Sequence, residues 1–144
     1  MISKKERKLY NSVMYLAFFT TLSLIIIMCF TVCPVKVLDV YGNITTDKEI
    51  YKAGETVTYT ADYCKYKQIP AIGSHALVDG IIIPYSKIET NVPVGCDKLV
   101  MPLKIPEYAP SGEYYLQIDF NYHVNPFKDV SYTFETERFI IQND

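Results

Sequence analysis

The chain has 144 residues, with 14 basic and 16 acidic side chains and a formal net charge of −2. The charges are divided unevenly, because residues 1–12 hold four basic and one acidic side chain while residues 36–144 hold ten basic and fifteen acidic ones. No stripe of basic residues runs through the longer part, which argues against nucleic acid as a partner.

A long apolar segment near the N-terminus predicts a membrane anchor. The twenty residues Val13–Val32 include no Asp, Glu, Lys, Arg or His, and they follow the basic residues Lys4, Lys5, Arg7 and Lys8. An α-helix of about twenty residues is about 30 Å long, which matches the hydrocarbon core of a bilayer. We therefore expect one transmembrane α-helix, with membrane lipid as its partner.

The flanks of this segment predict an uncleaved anchor whose N-terminus is cytoplasmic. A cleavable signal peptide has an apolar region of about 7 to 15 residues that ends at small residues, whereas this segment is longer and lacks that ending. Cytoplasmic flanks carry the excess of Lys and Arg, and only Lys36 lies just beyond the apolar segment. We expect residues 1–12 to form a short cytoplasmic tail, residues 13–33 the helix, and the rest a periplasmic or extracellular part.

The simplest role for the helix is passive tethering, but two features allow copies of the chain to associate. Ala17 and Thr21 are small residues four positions apart, a spacing that lets another helix approach closely. Cys33, at the outer end of the helix, is a candidate for linking two copies or for carrying a lipid, and the simpler alternative is an inert apolar residue.

The outer segment has the composition and periodicity of short β-strands. It is rich in Tyr, Val, Ile, Thr and Phe, which favour strands. Apolar and polar residues alternate over residues 55–63 and 113–124, and this period of two places one face of each strand in a core. The inward rows are Val57, Tyr59, Ala61 and Tyr63, and then Tyr114, Leu116, Ile118, Phe120, Tyr122 and Val124.

Proline and glycine add constraints on two further strands. Residues 99–105 alternate as well, but Pro102 lies among them. Proline cannot donate to a ladder, so we expect this strand either to lie at the edge of a sheet or to be broken at Pro102. The pair Asp79-Gly80 separates two apolar runs and predicts a hairpin with a two-residue turn.

The last predicted strand contains a change of phase. The apolar residues Val130, Tyr132 and Phe134 have even numbers, whereas Phe139 and Ile141 have odd numbers. An extra unpaired residue changes the parity of a strand. We therefore expect a β-bulge between Glu135 and Arg138.

About seven short strands without a helix among them predict an antiparallel β-sandwich. Tyr51–Tyr59 resembles the start of the second strand in bacterial and phage immunoglobulin-like domains, and Pro110–Leu116 is similar to a turn and late strand of the same domains. The resemblance implies an all-β, immunoglobulin-like sandwich and no particular activity. We expect residues 34–52 to be a juxtamembrane spacer that can include a first strand, and residues 53–144 to be the domain.

Four cysteines allow three disulfide pairings. Cys29 and Cys33 lie at the outer end of the helix, and Cys64 and Cys96 lie in the domain. Because an exported domain meets an oxidising compartment, we predict a Cys64–Cys96 disulfide. Cys64 has the parity of the solvent face and Cys96 lies in an expected loop, so the bridge would join a strand end to a loop.

Metal and catalytic sites are weakly indicated. His75, Cys96, Met101 and His123 are the residue types of a blue-copper site, but such sites place the Cys, the second His and the Met in one late loop. No His lies between Cys96 and Met101, so we place His123 on a solvent face and His75 in a hairpin. No convergent catalytic side chains are visible, and we expect a non-catalytic protein without a cofactor.

Tyrosines supply candidate contact residues, because Tyr brings contact area with few rotamers. Of the thirteen, Tyr59, Tyr114, Tyr122 and Tyr132 alternate as core residues. The best candidates for contact with a partner lie near strand ends and loops: Tyr63, Tyr66, Tyr85 and Tyr108. Asn43, in Asn43-Ile44-Thr45, is a candidate glycosylation acceptor if the chain is made in a secretory pathway.

The anchor and the domain together predict a membrane-anchored, non-catalytic binding or assembly module. It would present loops or an edge strand to a protein partner outside the cytoplasm. The first alternative is a small phage-encoded envelope or host-interference protein that acts through its transmembrane helix. The second is a copper or redox carrier.

Overall fold

We describe the protein from a computed structural model that covers residues 4–143, with the backbone alone at residues 4–6, 85 and 86. These residues form an N-terminal α-helix followed by nine β-strands. They divide into two compact units. The first contains the helix and the turn at residues 125–128, and the second is a β-domain that begins at Val35.

The helix α1 spans Lys4–Val32 and is 29 residues long, so it starts earlier than predicted and includes the basic cluster. Its stretch Arg7–Val32 is long and apolar enough to cross a membrane. The hydroxyls of Thr20, Thr21 and Ser23 donate to backbone carbonyls three or four residues earlier. These bonds satisfy the three hydroxyls without a second helix.

The β-domain contains two sheets. Its strands are β1 (Leu38–Thr46), β2 (Ile50–Tyr51), β3 (Thr56–Lys65), β4 (Ala71–Asp79), β5 (Ile81–Thr90), β6 (Gly95–Lys104), β7 (Gly112–Asn125), β8 (Lys128–Glu135) and β9 (Phe139–Ile141). One sheet is antiparallel with the order β1-β3-β6. The other has the order β2-β9-β7-β4-β5, with β8 also paired to β7, and its β2 and β9 run parallel. The fold is therefore mostly β, with antiparallel and mixed sheets.

The two sheets share one apolar core. The predicted alternation in β3 and β7 is confirmed, because the inward rows of both strands are buried except for the partly buried Val124. Leu103 and Ile105 are buried as well, while Leu99 and Met101 are partly buried. Each fully buried large apolar side chain stabilises the domain by about 1.5 to 3 kcal/mol. Burial between the sheets is thus the main source of stability.

The connection between the helix and the β-domain is short. The sequence predicted a spacer with at most one strand over residues 34–52. The structure instead has β1 at residues 38–46 and β2 at residues 50–51, and both strands are paired within sheets. Only residues 33–37 separate the end of α1 from the start of β1.

The predicted change of phase near the C-terminus is present, but a break between strands produces it rather than a β-bulge. Strand β8 ends at Glu135 and β9 begins at Phe139. Between them, Thr136 donates its backbone N–H to Leu116 O at 3.0 Å and accepts from Leu116 N through its hydroxyl at 2.9 Å. Because the Thr136 side chain replaces a backbone acceptor, the chain can change parity without leaving the Leu116 N–H unsatisfied.

The predicted hairpin of β4 and β5 is confirmed, but its turn differs from the predicted two-residue turn. Asp79 pairs with Ile81, so Gly80, with a φ of 63°, is the one residue between the two strands. A bulge lies further along the hairpin. His75 pairs with Ser86 and Ala76 with Pro84, which leaves one extra residue on β5. An extra residue of this kind bends the strand and increases its local twist.

Candidate functional site

The two lateral sides of the β-domain differ. One side is closed by contacts between the sheets, because Ile44 forms a bridge with Thr136 and accepts a hydrogen bond from Glu137 N at 3.0 Å. On the other side, β5 and β6 are the last strands of their sheets and follow one another in the chain. We call this side, made of β5 and β6, the open edge. The edge position predicted from Pro102 is thereby confirmed.

Exposed apolar side chains occur on both strands of the open edge. Ile82 is 66% exposed, Ile81 59% and Val100 57%. Ile83 pairs with the fully buried Leu77, so it lies on the core side of β5. In the sequence, the run Ile81-Ile82-Ile83 served only to predict a hairpin. Three consecutive isoleucines beside a turn place apolar side chains on both faces of a strand, and this pattern could have indicated the site.

The backbone of β5 offers hydrogen-bonding groups on its unpaired side. An edge strand leaves alternate N–H and C=O groups free of ladder partners, which makes it a template for another strand. Pro84 and Lys87 limit uncontrolled pairing along β5, since proline removes a donor and a lysine disfavours edge-to-edge aggregation. The open edge can therefore accept an added strand while it resists indiscriminate stacking.

A buried lysine fixes the connection between β5 and β6. Lys65 is only 1% exposed. Its Nζ donates to Val92 O at 2.9 Å and to Asn91 Oδ1 at 3.4 Å, and Gln68 Nε2 donates to the same Asn91 oxygen at 2.8 Å. Burial lowers the pKa of Lys65. The Lys65 ammonium thus ties the end of β3 to the loop of the open edge.

The predicted Cys64–Cys96 disulfide is present and attaches β6 to β3. Cys96 lies within β6 and pairs directly with Cys64, so the bridge joins two neighbouring strands rather than a strand end and a loop. The expectation of a loop at Cys96 was wrong because the polar residues at the start of β6 face solvent on an edge strand. The bridge holds the start of β6 at the open edge.

A buried polar group lies behind the open edge. His75, expected simply as a hairpin residue, is 2% exposed. The Tyr59 hydroxyl lies 3.1 Å from His75 Nε2 and 3.3 Å from Met101 Sδ. Burial lowers the pKa of His75 to about 4, partly opposed by Asp119, and burial also raises the pKa of Tyr59. His75 and Tyr59 are therefore uncharged at neutral pH.

The four candidate contact tyrosines do not form one surface. Tyr63 is 6% exposed and belongs to the core, so its predicted role in partner contact was wrong. Tyr63 is buried because it lies on the same face of β3 as Tyr59 and Ala61, which pack in the core. Tyr66 and Tyr108 are exposed, but Tyr66 follows the end of β3 that pairs with Gly95, and Tyr108 follows the opposite end of β6. The side chain of Tyr85 lies outside the described residues.

The other candidate residues lie apart from the open edge. Asn43 is exposed on β1, and its Nδ2 donates to Glu137 Oε1 at 3.2 Å. His123 is exposed, as predicted, and its Nδ1 lies 2.6 Å from Asp129 Oδ1. Within residues 4–143, no group of three or more His, Cys, Asp or Glu side chains is arranged to hold a metal ion. Cys96 is oxidised in the disulfide and supplies no thiolate to the copper set considered from the sequence.

The candidate self-association residues in α1 and directly after it are exposed. The Thr21 hydroxyl donates to Ala17 O at 2.9 Å, and Cys33 is an exposed free thiol. Neither feature has a partner segment within the described chain.

The space between the sheets is nearly filled. It contains a cavity of ≈ 20 Å³ lined by residues such as Tyr59, Leu99 and Phe120. This is room for about one water molecule, so the core is not a pocket for a small-molecule ligand.

Comparisons with known proteins do not identify a family. No family model matches the chain, and no curated protein matches it. The solved structures that resemble this chain include two with low similarity. The sporulation control protein Spo0M from Bacillus subtilis has a TM-score of 0.39 and 14% identity over 75% of this chain and 50% of its own. The alkylpurine DNA glycosylase AlkC from Pseudomonas fluorescens, bound to DNA with an abasic site analog, has a TM-score of 0.37 and 9% identity over 69% of this chain and 30% of its own. The chain thus spans half or less of each of these proteins.

Proposed function

We propose that this protein is a membrane-anchored, non-catalytic binding module whose β-domain receives a protein partner at the open edge. The observation that carries the proposal is the unpaired strand β5 with Ile81 and Ile82 exposed beside its free backbone groups. Large apolar side chains grouped at the surface of a folded domain mark interaction sites. The partner supplies an extended segment that continues the sheet.

Strand addition suits the chemistry of this edge. Main-chain hydrogen bonds provide affinity in this mode, and alternate side chains provide specificity. Burying Ile81 and Ile82 would contribute about 1.5 to 3 kcal/mol for each side chain that becomes fully covered. The partly buried Leu99 and Met101 on β6 offer further apolar surface to the inward side chains of the added strand.

The proposal includes a topology and a fold assignment. The basic cluster at the N-terminus supports a cytoplasmic N-terminus, and the Cys64–Cys96 disulfide supports a β-domain in an oxidising compartment outside the cytoplasm. We assign the β-domain to the immunoglobulin-like sandwiches. The two sheets with a shared core support this assignment, as do the positions of Tyr51–Tyr59 and Pro110–Leu116 at the starts of β3 and β7.

A charge placed at the open edge tests the proposal. We expect Ile82→Lys to reduce recovery of the crosslinked partner from native membranes about tenfold or more, because it removes apolar burial and adds a charge that must be desolvated. The measurement is chemical crosslinking of the tagged full-length chain, followed by quantitative mass spectrometry.

The matched control is Ile140→Lys. Ile140 is also an exposed isoleucine, at 46%, but it lies on β9, which is paired on both sides. Partner recovery with Ile140→Lys should equal that of the unchanged chain. Equal recovery with Ile82→Lys would contradict a binding role for the open edge.

A further inference from the structure

A second surface of the β-domain is built from aromatic and charged side chains near its first strand. The Tyr66 hydroxyl donates to Asp39 Oδ2 at 2.8 Å, the Tyr41 hydroxyl donates to the same oxygen at 3.1 Å, and the two hydroxyls are 3.0 Å apart. Lys36 forms an ion pair with Asp39, and its Nζ lies 5.2 Å from the centre of the Tyr66 ring. We call Lys36, Asp39, Tyr41 and Tyr66 the juxtamembrane cluster.

The cluster is both ordered and exposed. Tyr41 is 49% exposed and Tyr66 is 45% exposed, although their hydroxyls share one carboxylate. The hydrogen bond from Tyr66 N to Val37 O, 2.9 Å long, fixes the position of Tyr66 relative to the start of β1. Two aromatic rings are thus held at the surface in fixed positions, so little side-chain entropy remains to be lost on binding.

The chain length between the helix and the domain limits where this surface can be. Five residues, 33–37, separate Val32 from Leu38, and a fully extended connection of that length reaches about 20 Å. If α1 spans a bilayer, the start of β1 must remain within that distance of the outer end of the helix. The polar headgroup layer occupies about 5 to 8 Å of this range on each side of the bilayer.

We propose that the juxtamembrane cluster contacts the headgroup layer of the membrane and holds this end of the β-domain against it. Tyrosine is enriched at membrane interfaces because its ring is apolar and its hydroxyl is polar, and lysine is attracted to anionic headgroups. Asp39 would be repelled by the same headgroups, but Lys36 and the two hydroxyls compensate its charge. The inference rests on the anchoring part of the proposed function and is independent of the open edge.

The chain has no tryptophan, so one substitution creates a unique fluorescent reporter. The full-length variants Tyr66→Trp and Tyr41→Trp are reconstituted in vesicles of phosphatidylcholine and phosphatidylglycerol that contain a headgroup spin-labelled lipid. We expect both variants to lose several-fold more fluorescence to this quencher than Tyr108→Trp. Tyr108 is the matched control because it is an exposed tyrosine, at 71%, beyond the opposite end of β6.

Equal quenching at positions 41, 66 and 108, or no quenching at any of them, would overturn the inference. Vesicle flotation of the same samples separates this failure from a failure of the proposed anchor. A chain that floats with the vesicles without quenching at 41 and 66 is anchored but does not rest on the lipid. A chain that does not float contradicts both the anchor and the inference. If Tyr66→Trp does not form the Cys64–Cys96 disulfide, Tyr41→Trp alone decides the result.

Discussion

His75 is a buried histidine with only one ring nitrogen satisfied. Its Nε2 lies beside the Tyr59 hydroxyl, while its Nδ1 has no hydrogen-bond partner among the described residues. The charge of Asp119 favours protonation, but burial dominates and lowers the pKa of His75 to about 4, from an ordinary value of 6.5. The folded protein therefore takes up a proton at His75 less readily than the unfolded chain does.

This difference predicts a specific loss of stability in acid. Because the folded pKa is lower than the unfolded pKa, the contribution of His75 is fully present above pH 6.5 and is lost as the pH falls through 4. The loss amounts to about 3 kcal/mol at most. We expect His75→Leu to flatten this part of the pH profile in urea unfolding of the detergent-solubilised chain, followed by tyrosine circular dichroism.

The control for this experiment is His123→Gln, because His123 is exposed. Its profile should retain the loss of stability between pH 6.5 and 4. Parallel profiles for His75→Leu and the unchanged chain would show that His75 does not control the acid response.

Lys65 is a second buried residue whose role rests on particular contacts. We expect Lys65→Met to lower the free energy of unfolding by about 1 to 3 kcal/mol, because Val92 O loses the Lys65 donor and Asn91 Oδ1 keeps only the bond from Gln68. Lys67→Met is the matched control, since Lys67 is exposed two residues away and should change stability by no more than about 0.5 kcal/mol. Equal urea midpoints for the two variants would contradict the structural role of Lys65.

Among the elements, β6 depends on a covalent attachment. It is an edge strand with mostly exposed side chains, so its burial gives it less stability than a central strand has. The Cys64–Cys96 bridge, with a sequence separation of 32, compensates by restricting the unfolded chain. We expect the double variant Cys64→Ser/Cys96→Ser to lose about 3 to 4 kcal/mol of unfolding free energy.

The control is the double variant Cys29→Ser/Cys33→Ser, which removes two free thiols outside the β-domain. The stability of this control should match that of the unchanged chain. Because the control keeps the Cys64–Cys96 bridge, a reducing agent should lower its unfolding free energy by the same amount as the Cys64→Ser/Cys96→Ser change. A bridge variant that unfolds at the same urea concentration as this control would mean that β6 is held by packing alone.

For the whole molecule, local patterns predicted the elements better than their assembly. The alternation around Tyr59 and Ile118 located β3 and β7, since a strand with one buried face imposes a period of two on its own sequence. The pairing of Cys64 with Cys96 was predicted from the expected export of the domain and from its having two cysteines. The alternation can be read within a single strand, and the cysteine pairing can be predicted without knowing how the strands pair.

The remaining features depend on contacts between segments far apart in the chain. Thr136 bridges to Ile44 and bonds to Leu116, and no local pattern specifies either partner. Lys65 is buried because the loop at Val92 supplies an acceptor, which sequence periodicity cannot indicate. Pro102 indicated the edge position of β6, but that of β5 could not be located for the same reason, because its place is known only when the order of the whole sheet is known.

The β-domain therefore offers two separate surfaces, and the open edge is the one on which the proposed function depends. The most direct test places a photo-crosslinking residue at position 82 of the full-length chain in native membranes, with position 140 as the control and positions within 13–32 as a third set. We predict a covalent protein adduct from position 82 and none from position 140. An adduct only from within 13–32 would contradict this account and would assign the function to the helix.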